Sequence, residues 1–552
     1  MSEKVIGTKP CSKCGDEFTI TNQDRTFYAK LDVPDPTHCP VCRNKRRMMW
    51  RNDRTFYKRK CDMTGKSMIS IYPKDAPFPV YHPEQWYSDK WDPMDYGQDF
   101  DFDRPFFEQF KELLLKVPHL GIDIVNCENS FYCNYCGDDK NCYLDIAGEG
   151  NEDCYFNLFT KFSKDTADCT FVYNCELCYE SINCYNCHNV RYSMYLDNCN
   201  DCAFCYDMKG CSDCLFSYNL RHKKYHIFNQ EYSKEDYEKK LAELQFGSFQ
   251  ALQVEIKMWQ DMMKQAIHRD MYNLNSENCT GNNIKNSKNC HDAYNVVNCE
   301  DSKFLYDVLD AKDCYDMNYS LYKPEVAYDI ISTLSMRFSA FCMASHYCNN
   351  SFYCDTCNNS SNLFGCTALN QKKYCILNKQ YTKEEYEKMV EKIKEHMKKT
   401  GEWGEFFPVE ISPYGYNETV ANEYCPLTKE EAGKKGYPWK NLEMAGYKLQ
   451  KYEIPDYIDD VSDGITDEVL ACSSCMKNFK IITQELGFYR KMKLPISRKC
   501  PDCRHRDRME RRHPRNLWMR QCVRCNKEIQ TPYTPKRSEK IYCEECYLKT
   551  VY

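Results

Sequence analysis

Between Cys127 and Cys214 all fifteen cysteines fall in one phase of three, each a multiple of three residues from the others. That phase opens with Cys127, Ser130, Cys133, Cys136, Asp139, Cys142, Asp145, Gly148, Asn151 and Cys154, a file of small residues set among larger polar and aromatic ones. Chance would place only about a third of the cysteines in one phase, so the period belongs to the chain. A helix, at 3.6 residues per turn, and a simple strand, at two, both fail to generate it. A narrow β-solenoid does, when each short side turns one residue inward and then rounds a corner. Asn or Asp precedes many of these cysteines (Asn126, Asn141, Asp153, Asp168, Asn183, Asn198, Asp213), as corners with left-handed backbone require. The column Cys142, Cys154, Cys169, Cys184, Cys199, Cys211 steps by 12 or 15 residues, the expected coil length. Tyr143, Tyr155 and Tyr185 are expected to face outward and stack between coils.

A second tract repeats the design. Gly281, Ile284, Ser287, Cys290, Ala293, Val296 and Cys299 begin a phase that runs to Cys314. After a slip near Pro324, Ser339, Cys342, Ser345, Cys348, Ser351, Cys354 and Cys357 carry another as far as Cys366. The tracts end alike, His222-Lys-Lys-Tyr225…Asn229…Tyr232-Ser-Lys-Glu against Gln371-Lys-Lys-Tyr374…Asn378…Tyr381-Thr-Lys-Glu. Each then passes into a predicted helix. Thr382 and Glu385 form a capping box, and Ser233 with Asp236 a looser one. The stripes Tyr237, Leu241, Leu244 and Tyr386, Met389, Val390, Ile393, Met397 suit helices that cover the open end of a solenoid. A further helix is expected from Pro105, ending before Pro118.

The two ends of the chain share a different pattern. A shift of 461 residues places Cys11, Cys14, Cys39 and Cys42 on Cys472, Cys475, Cys500 and Cys503, and Phe18, Phe27, Tyr28 and Lys30 on Phe479, Phe488, Tyr489 and Lys491. The match continues through Arg43/Arg504, Arg47/Arg508, Arg51/Arg512 and Cys61/Cys522. Two close cysteine pairs can supply four thiolates to a closed tetrahedral Zn²⁺ site. Phe18-Thr19-Ile20 and Phe27-Tyr28 are expected as short strands between them. So small a module has too little apolar core to fold without metal. The C-terminal copy continues into Cys522, Cys525, Cys543 and Cys546, also spaced for zinc. The N-terminal copy holds Cys61, Thr64, His82 and Gln85 there, two ligands short. Three structural zinc ions are therefore expected, with the degenerate fourth module held by packing around Trp86 and Trp91.

The pattern Cys-x2-Cys, Phe, Phe-Tyr, Pro, Cys-Pro-x-Cys-Arg resembles the "probable zinc-ribbon" domains of cysteine-rich bacterial proteins, over about fifty residues at each end, within a single-domain length. The resemblance implies zinc binding and a treble-clef-like or ribbon fold. It brings no activity.

Composition sharpens the choice of function. The chain has 39 cysteines in 552 residues, no apolar leader at its start and no apolar run of membrane-spanning length. A reducing, cytoplasmic setting is expected, with thiols metal-bound or buried in preference to disulfides. Disulfides at i,i+6 within a coil, as in insect antifreeze solenoids, are the alternative for an oxidising compartment. The net charge of −6 conceals two basic stretches. Nine cations face one acid between Arg43 and Lys60, and thirteen face three between Arg490 and Arg524, which leaves an acidic middle. Arg43, Lys45, Arg46, Arg47, Arg51 and Arg504, Arg506, Arg508, Arg511, Arg512, with Trp50 and Trp518 nearby, are the candidate contacts for nucleic acid or a ribonucleoprotein. Two other roles compete: the cations neutralise dianionic four-thiolate sites, or the solenoid is a protein-interaction scaffold with an acidic, aromatic face.

No phosphate loop, His-Glu-x-x-His or nucleophile elbow occurs, so no catalysis and no small-molecule substrate are expected. His188, His291 and His346 are expected on the solenoid surface, Cys425 as an ordinary thiol, and Asp456, Asp459 and Asp460 on a solvated face. The expected organisation is mainly β and multidomain, with a cysteine-lined parallel β-solenoid in two halves. Its segments are a zinc ribbon (1–50), a degenerate ribbon and connector (51–125), solenoid half 1 (126–232), a capping helix (233–272), half 2 (273–381), a helix (382–400), a connector (401–470) and two zinc ribbons (471–515 and 516–552).

Overall fold

The computed structural model describes residues 3–321, 323–441 and 446–552. It forms two compact units, each built from distant stretches: Met1–Ile122 with Tyr272–Asn441, and Asp123–Met271 with Leu442–Tyr552. The N-terminal cysteine module thus shares a unit with the second tract, and the C-terminal modules share one with the first.

The fold is mainly β, and the tracts are parallel ladders. In the second unit, four-residue strands such as Lys164–Ala167 and Glu176–Tyr179 pair at a step of twelve, Lys164 on Glu176 and Thr166 on Cys178. The turns before Glu152 keep this step through single bridges, Glu128 to Lys140 and Phe131 to Tyr143. The expected column of 12 or 15 is therefore corrected. Cys154 stacks on Thr166 and through it on Cys178, not on Cys169.

In the first unit the step is again twelve, with eleven between Asn273 and Ile284 and thirteen between Lys312 and Glu325. The thirteenth residue is the slip near Pro324, where Lys323 takes a positive φ of 58°. The shortened turn depends on Gly281, at φ 126°, whose missing Cβ would collide with the Ala293 carbonyl.

Every third residue from Asn126 to Phe228 has positive φ. Asn and Asp tolerate this region, but Phe156, Phe171 and Tyr192 adopt it too, at roughly 1–2 kcal/mol each. Parallel hydrogen bonds offset the strain. A corner amide reaches back to the previous turn (Asn141 N to Glu128 O, 2.9 Å), and an outward amide reaches forward (Glu128 N to Asp139 O, 2.8 Å).

The inward amide is satisfied differently, by the inward side chain twelve residues earlier. Cys175 N donates to Ser163 Oγ at 3.1 Å, Cys187 N to Cys175 Sγ at 3.3 Å and Cys205 N to Ser193 Oγ at 3.0 Å. That side chain donates in turn to the carbonyl two residues before it, as Ser193 Oγ does to Arg191 O (2.9 Å) and Cys175 Sγ to Tyr173 O (3.3 Å). The position wants a small group that both accepts and donates. Cys and Ser provide one, and Val172, Val190 and Leu196 fill the remaining interior.

The helices that follow the ladders start where their caps predict. Lys383–Thr400 begins at the Thr382/Glu385 capping box and buries Tyr386, Val390, Ile393 and Met397. Lys234–Glu243 begins at Ser233, which accepts from Asp236 N, and buries Tyr237. Phe106–Lys116 packs Phe106 and Phe110 against Phe364 and Phe407. Among the described residues no helix is long and apolar enough to cross a membrane.

Candidate metal centres and arginine clamps

In the N-terminal module an antiparallel hairpin, Val5–Pro10 with Glu17–Thr21, carries Cys11 and Cys14 on its turn. Gly15, at φ 81°, lets the turn close with its N–H on Cys11 O. Thr21 and Asp24 form a capping box that opens a helix, Asn22–Lys30. Phe27 and Tyr28, expected in a strand, lie in that helix, because the reciprocal cap fixes its start and both rings then face the core. Cys39 caps a second helix, Pro40–Met48, and Cys42 sits in its first turn.

The C-terminal copy repeats each part, with Thr483–Met492 and Pro501–Arg511 as its helices and Cys500 as the cap. The last module puts Cys522 and Cys525 between Trp518–Gln521 and Glu528–Thr531, and Cys543 caps Glu544–Val551.

All twelve candidate ligands fall into three four-thiol clusters, Cys11/Cys14/Cys39/Cys42, Cys472/Cys475/Cys500/Cys503 and Cys522/Cys525/Cys543/Cys546. The Sγ separations Cys14–Cys39, Cys475–Cys500 and Cys525–Cys543 are 3.8, 3.7 and 3.7 Å. A tetrahedron with metal–sulfur bonds of about 2.3 Å has edges of about 3.8 Å, so the clusters fit a zinc-sized ion. Burial opposes ionisation of Cys11, Cys472 and Cys522. Knuckle and helix N–H groups outweigh it, led by those of Cys39, Cys500 and Cys543, and bring each thiol down to about 6.

The degenerate module keeps one thiol, and it is ringed by the same amides. His82 N donates to Cys61 Sγ at 3.4 Å, and His82 Nδ1 accepts from Glu84 N as the cap of Pro83–Trp86. Packing closes the rest: Trp86 Nε1 donates to Pro118 O, and Trp91 Nε1 to Trp86 O.

The basic residues beyond each second knuckle lie mostly inside the protein. Arg43, Arg46, Arg47 and Arg51 are buried in the first unit, and Arg504, Arg508 and Arg512 in the second. Lys45 and Arg511 are half-buried and Arg506 is exposed. Arg43 pairs with Asp316 (2.8 Å), Arg46 with Asp329 and Glu405 (2.8 Å each), and Arg47 with Asp329 (2.6 Å) and Asp316 (3.2 Å). In the second unit Arg508 holds Asp168 (2.6 Å) and Glu180 (3.1 Å), Arg504 holds Glu485 (2.7 Å) and Asp168 (3.3 Å), and Arg511 joins Glu180. Burial opposes ionisation of the Asp329 carboxyl less than it gains from Arg46 and Arg47, whose guanidinium groups lower it below the usual carboxylate range. Exposed Arg506 donates to Cys503 Sγ at 2.9 Å.

The clamps are copies of one another. Arg51 lies over Tyr319 at 4.3 Å and Arg512 over Phe171 at 4.2 Å. Arg43 lies over Phe304 at 5.2 Å and Arg504 over Phe156 at 4.6 Å. Asp168, Phe156 and Phe171 precede Asp316, Phe304 and Tyr319 by 148 residues, and Glu180 precedes Asp329 by 149, the slip having intervened. The acidic partners were not recognisable in the sequence. Superposing the two tracts at this offset is the signal that could have found them.

The second unit also holds a cavity of about 830 Å³ beside this clamp, walled by Tyr192, Tyr195, Tyr206, Trp259, Arg498 and Arg511. Asp456 is no free acid. It takes Ser248 Oγ and Gln250 N at the start of Phe249–Gln265. Trp50 is buried and Trp518 half-buried.

No curated protein matches the chain. A crystal structure from Desulfovibrio desulfuricans G20, described provisionally as an acetyltransferase, aligns at 10% identity and a TM-score of 0.10 over 43% of this chain and 61% of that one. The chain therefore spans about three fifths of that protein, and so low a score carries no argument about fold. Residues 8–49, the N-terminal hairpin, first helix and four-thiol cluster, match the family described as a probable treble clef domain.

Proposed function

We propose that this is a non-enzymatic, cytoplasmic zinc protein that works as a protein-interaction scaffold. Its two ladders are β-solenoids of twelve-residue coils, and its treble clefs are metal-stabilised clamps on them. Three Zn²⁺ ions are held by the three four-cysteine clusters, and the treble-clef likeness of residues 8–49 extends to the C-terminal copies. Four thiolates close the coordination sphere, so the zinc lends folding energy and offers no open position for chemistry.

The burial of the clamp arginines carries this reading over nucleic-acid binding. Seven of the ten candidate cations are buried, most of them paired with the chain's own carboxylates, and so have few donors to offer a phosphate. What remains outside is a ladder face with files of alternating charge, exposed at Lys164, Glu176, Lys312 and Glu325 and half-buried at Glu152 and Glu300. Such a face suits a protein partner. Nucleic-acid binding keeps one favourable observation, the exposure of Arg506 beside half-buried Arg511.

A salt titration of binding to a single-stranded RNA and a duplex DNA oligonucleotide separates the two. The scaffold reading expects weak binding with a shallow log–log slope. A steep slope, flattened by charge reversal at Arg46, Arg47, Arg508 and Arg512, overturns it.

A further inference from the structure

We infer that the first turns of the Asp123–Met271 ladder hold a fourth metal ion, a zinc-class divalent cation bound by Cys136, Asp139 and Asp145. The three side chains are buried, and their ligand atoms lie within 4.8 Å of one another. Two buried carboxylates so close cost several kcal/mol unless a cation joins them.

Each carboxylate is half satisfied. Asp139 Oδ1 accepts from Asn151 N at 3.0 Å and Asp145 Oδ2 from Asn151 Nδ2 at 2.9 Å, while Asp139 Oδ2 and Asp145 Oδ1 have no hydrogen-bond partner among the described residues. The nearby ammonium of Lys161 is held by Glu149 at 2.8 Å. The two acids take up the room that Gly148, lacking a Cβ, leaves beside them. A Cβ placed there would stand 2.7 Å from Asp139 Oδ2 and closer still to Asp145 Oδ2. An inward position that elsewhere carries a filling side chain is here a glycine, and carboxylate oxygens converge on the space it leaves.

The sister ladder shows that the fold does not require these groups. At the 148-residue offset, Cys136, Asp139, Asp145 and Gly148 become Ile284, Ser287, Ala293 and Val296. There the interior is closed by apolar and small side chains, with Ile284, Ala293 and Val296 fully buried. One thiolate with two carboxylates is a borderline donor set that suits zinc at about 2.0–2.3 Å. Calcium and magnesium, which take oxygen, would reject the sulfur.

Elemental analysis of the purified full chain, dialysed against a weak chelator, tests the site. Four ions per chain are expected, falling to three in Asp139→Asn/Asp145→Asn. A second variant, Asp139→Ser/Asp145→Ala/Gly148→Val, imports the sister ladder's own filling. It should keep the far-ultraviolet circular dichroism of the parent and also bind three. Three ions in the unsubstituted chain, or four in a folded triple variant, overturn the proposal, and a raised melting temperature in the first case would identify a proton-sharing acid pair. No ions at all would instead defeat the reading of the terminal modules.

Discussion

The two units carry the same clamp but support it differently. In the second unit the module after the Cys472/Cys475/Cys500/Cys503 cluster brings together four thiols, Cys522, Cys525, Cys543 and Cys546. In the first unit the corresponding module has Cys61 alone, and its neighbours are Trp86, Trp91, Tyr81 and the helix Phe106–Lys116. A module of some forty residues needs either a metal or a larger apolar contact to hold its shape. The N-terminal one has gained that contact: it shares an extensive cluster with Phe341, Tyr353 and Phe364 of its ladder. The clamp, by contrast, is retained in both units, down to the guanidinium over an aromatic ring. Metal is thus replaceable by packing, whereas the registered arginine–carboxylate contact has been kept.

Metal removal should separate the units most. Structural zinc sites contribute on the order of 10 kcal/mol each, so a strong chelator should abolish cooperative unfolding of the C-terminal modules while leaving residues 57–122 protected from hydrogen exchange. Cys11→Ser and Cys472→Ser should each lower the zinc count by one, and Cys61→Ser should leave it unchanged.

Next in size is the clamp. Arg47→Ala or Arg508→Ala removes one of the two guanidinium groups that each buried carboxylate shares and should cost about 1.5–3 kcal/mol in denaturant unfolding. Lysine at either position should recover little, because it lacks the planar fork that reaches two carboxylates.

Within the ladders, Cys175→Ser should be nearly neutral. Cys175→Ala removes the acceptor for Cys187 N and should cost about 1–3 kcal/mol.

Acid should act in two windows. The knuckle thiols Cys11, Cys472 and Cys522, held down at about 6, keep their thiolates above that value. Burial and the neighbouring thiols push Cys503, a partner of Cys472, up to about 11, so protons already compete for part of the ligand set above pH 6, and dye-detected zinc release should steepen as pH falls through about 6. Asp329, depressed by Arg46 and Arg47, gives stability that is complete above the ordinary aspartate value of about 3.9. That stability is lost only as pH falls further, through the depressed value. The smallest effect belongs to the exposed files, where Lys312→Glu should change stability by less than about 1 kcal/mol.

Much of this design is legible in the residues. The phase of three marks the inward file, and the Cys-x2-Cys pairs mark the metal centres, because both are local spacings. The ladder step departs from the cysteine spacing for a chemical reason. The inward site selects any small donor–acceptor, so Thr166 and Ser181 stand in the file as readily as cysteine, and the spacing between cysteines is not the step between paired strands. The helix at Phe27-Tyr28 was hidden because one aromatic pair has no period, although Thr21 and Asp24 announce its cap. The clamps were hidden by distance. Asp168, Asp316 and Asp329 occupy positive-φ corners, where an aspartate needs no other explanation, and their arginines lie some 270–340 residues away.

Double-mutant cycles on Arg47/Asp329 and Arg508/Asp168, read by equilibrium unfolding of zinc-loaded protein, test the internal clamp most directly. Coupling of about 2–3 kcal/mol is expected in both units. Coupling below about 0.5 kcal/mol in either, with a simultaneous loss of affinity for an RNA or DNA oligonucleotide, would place those arginines on a binding surface and contradict it.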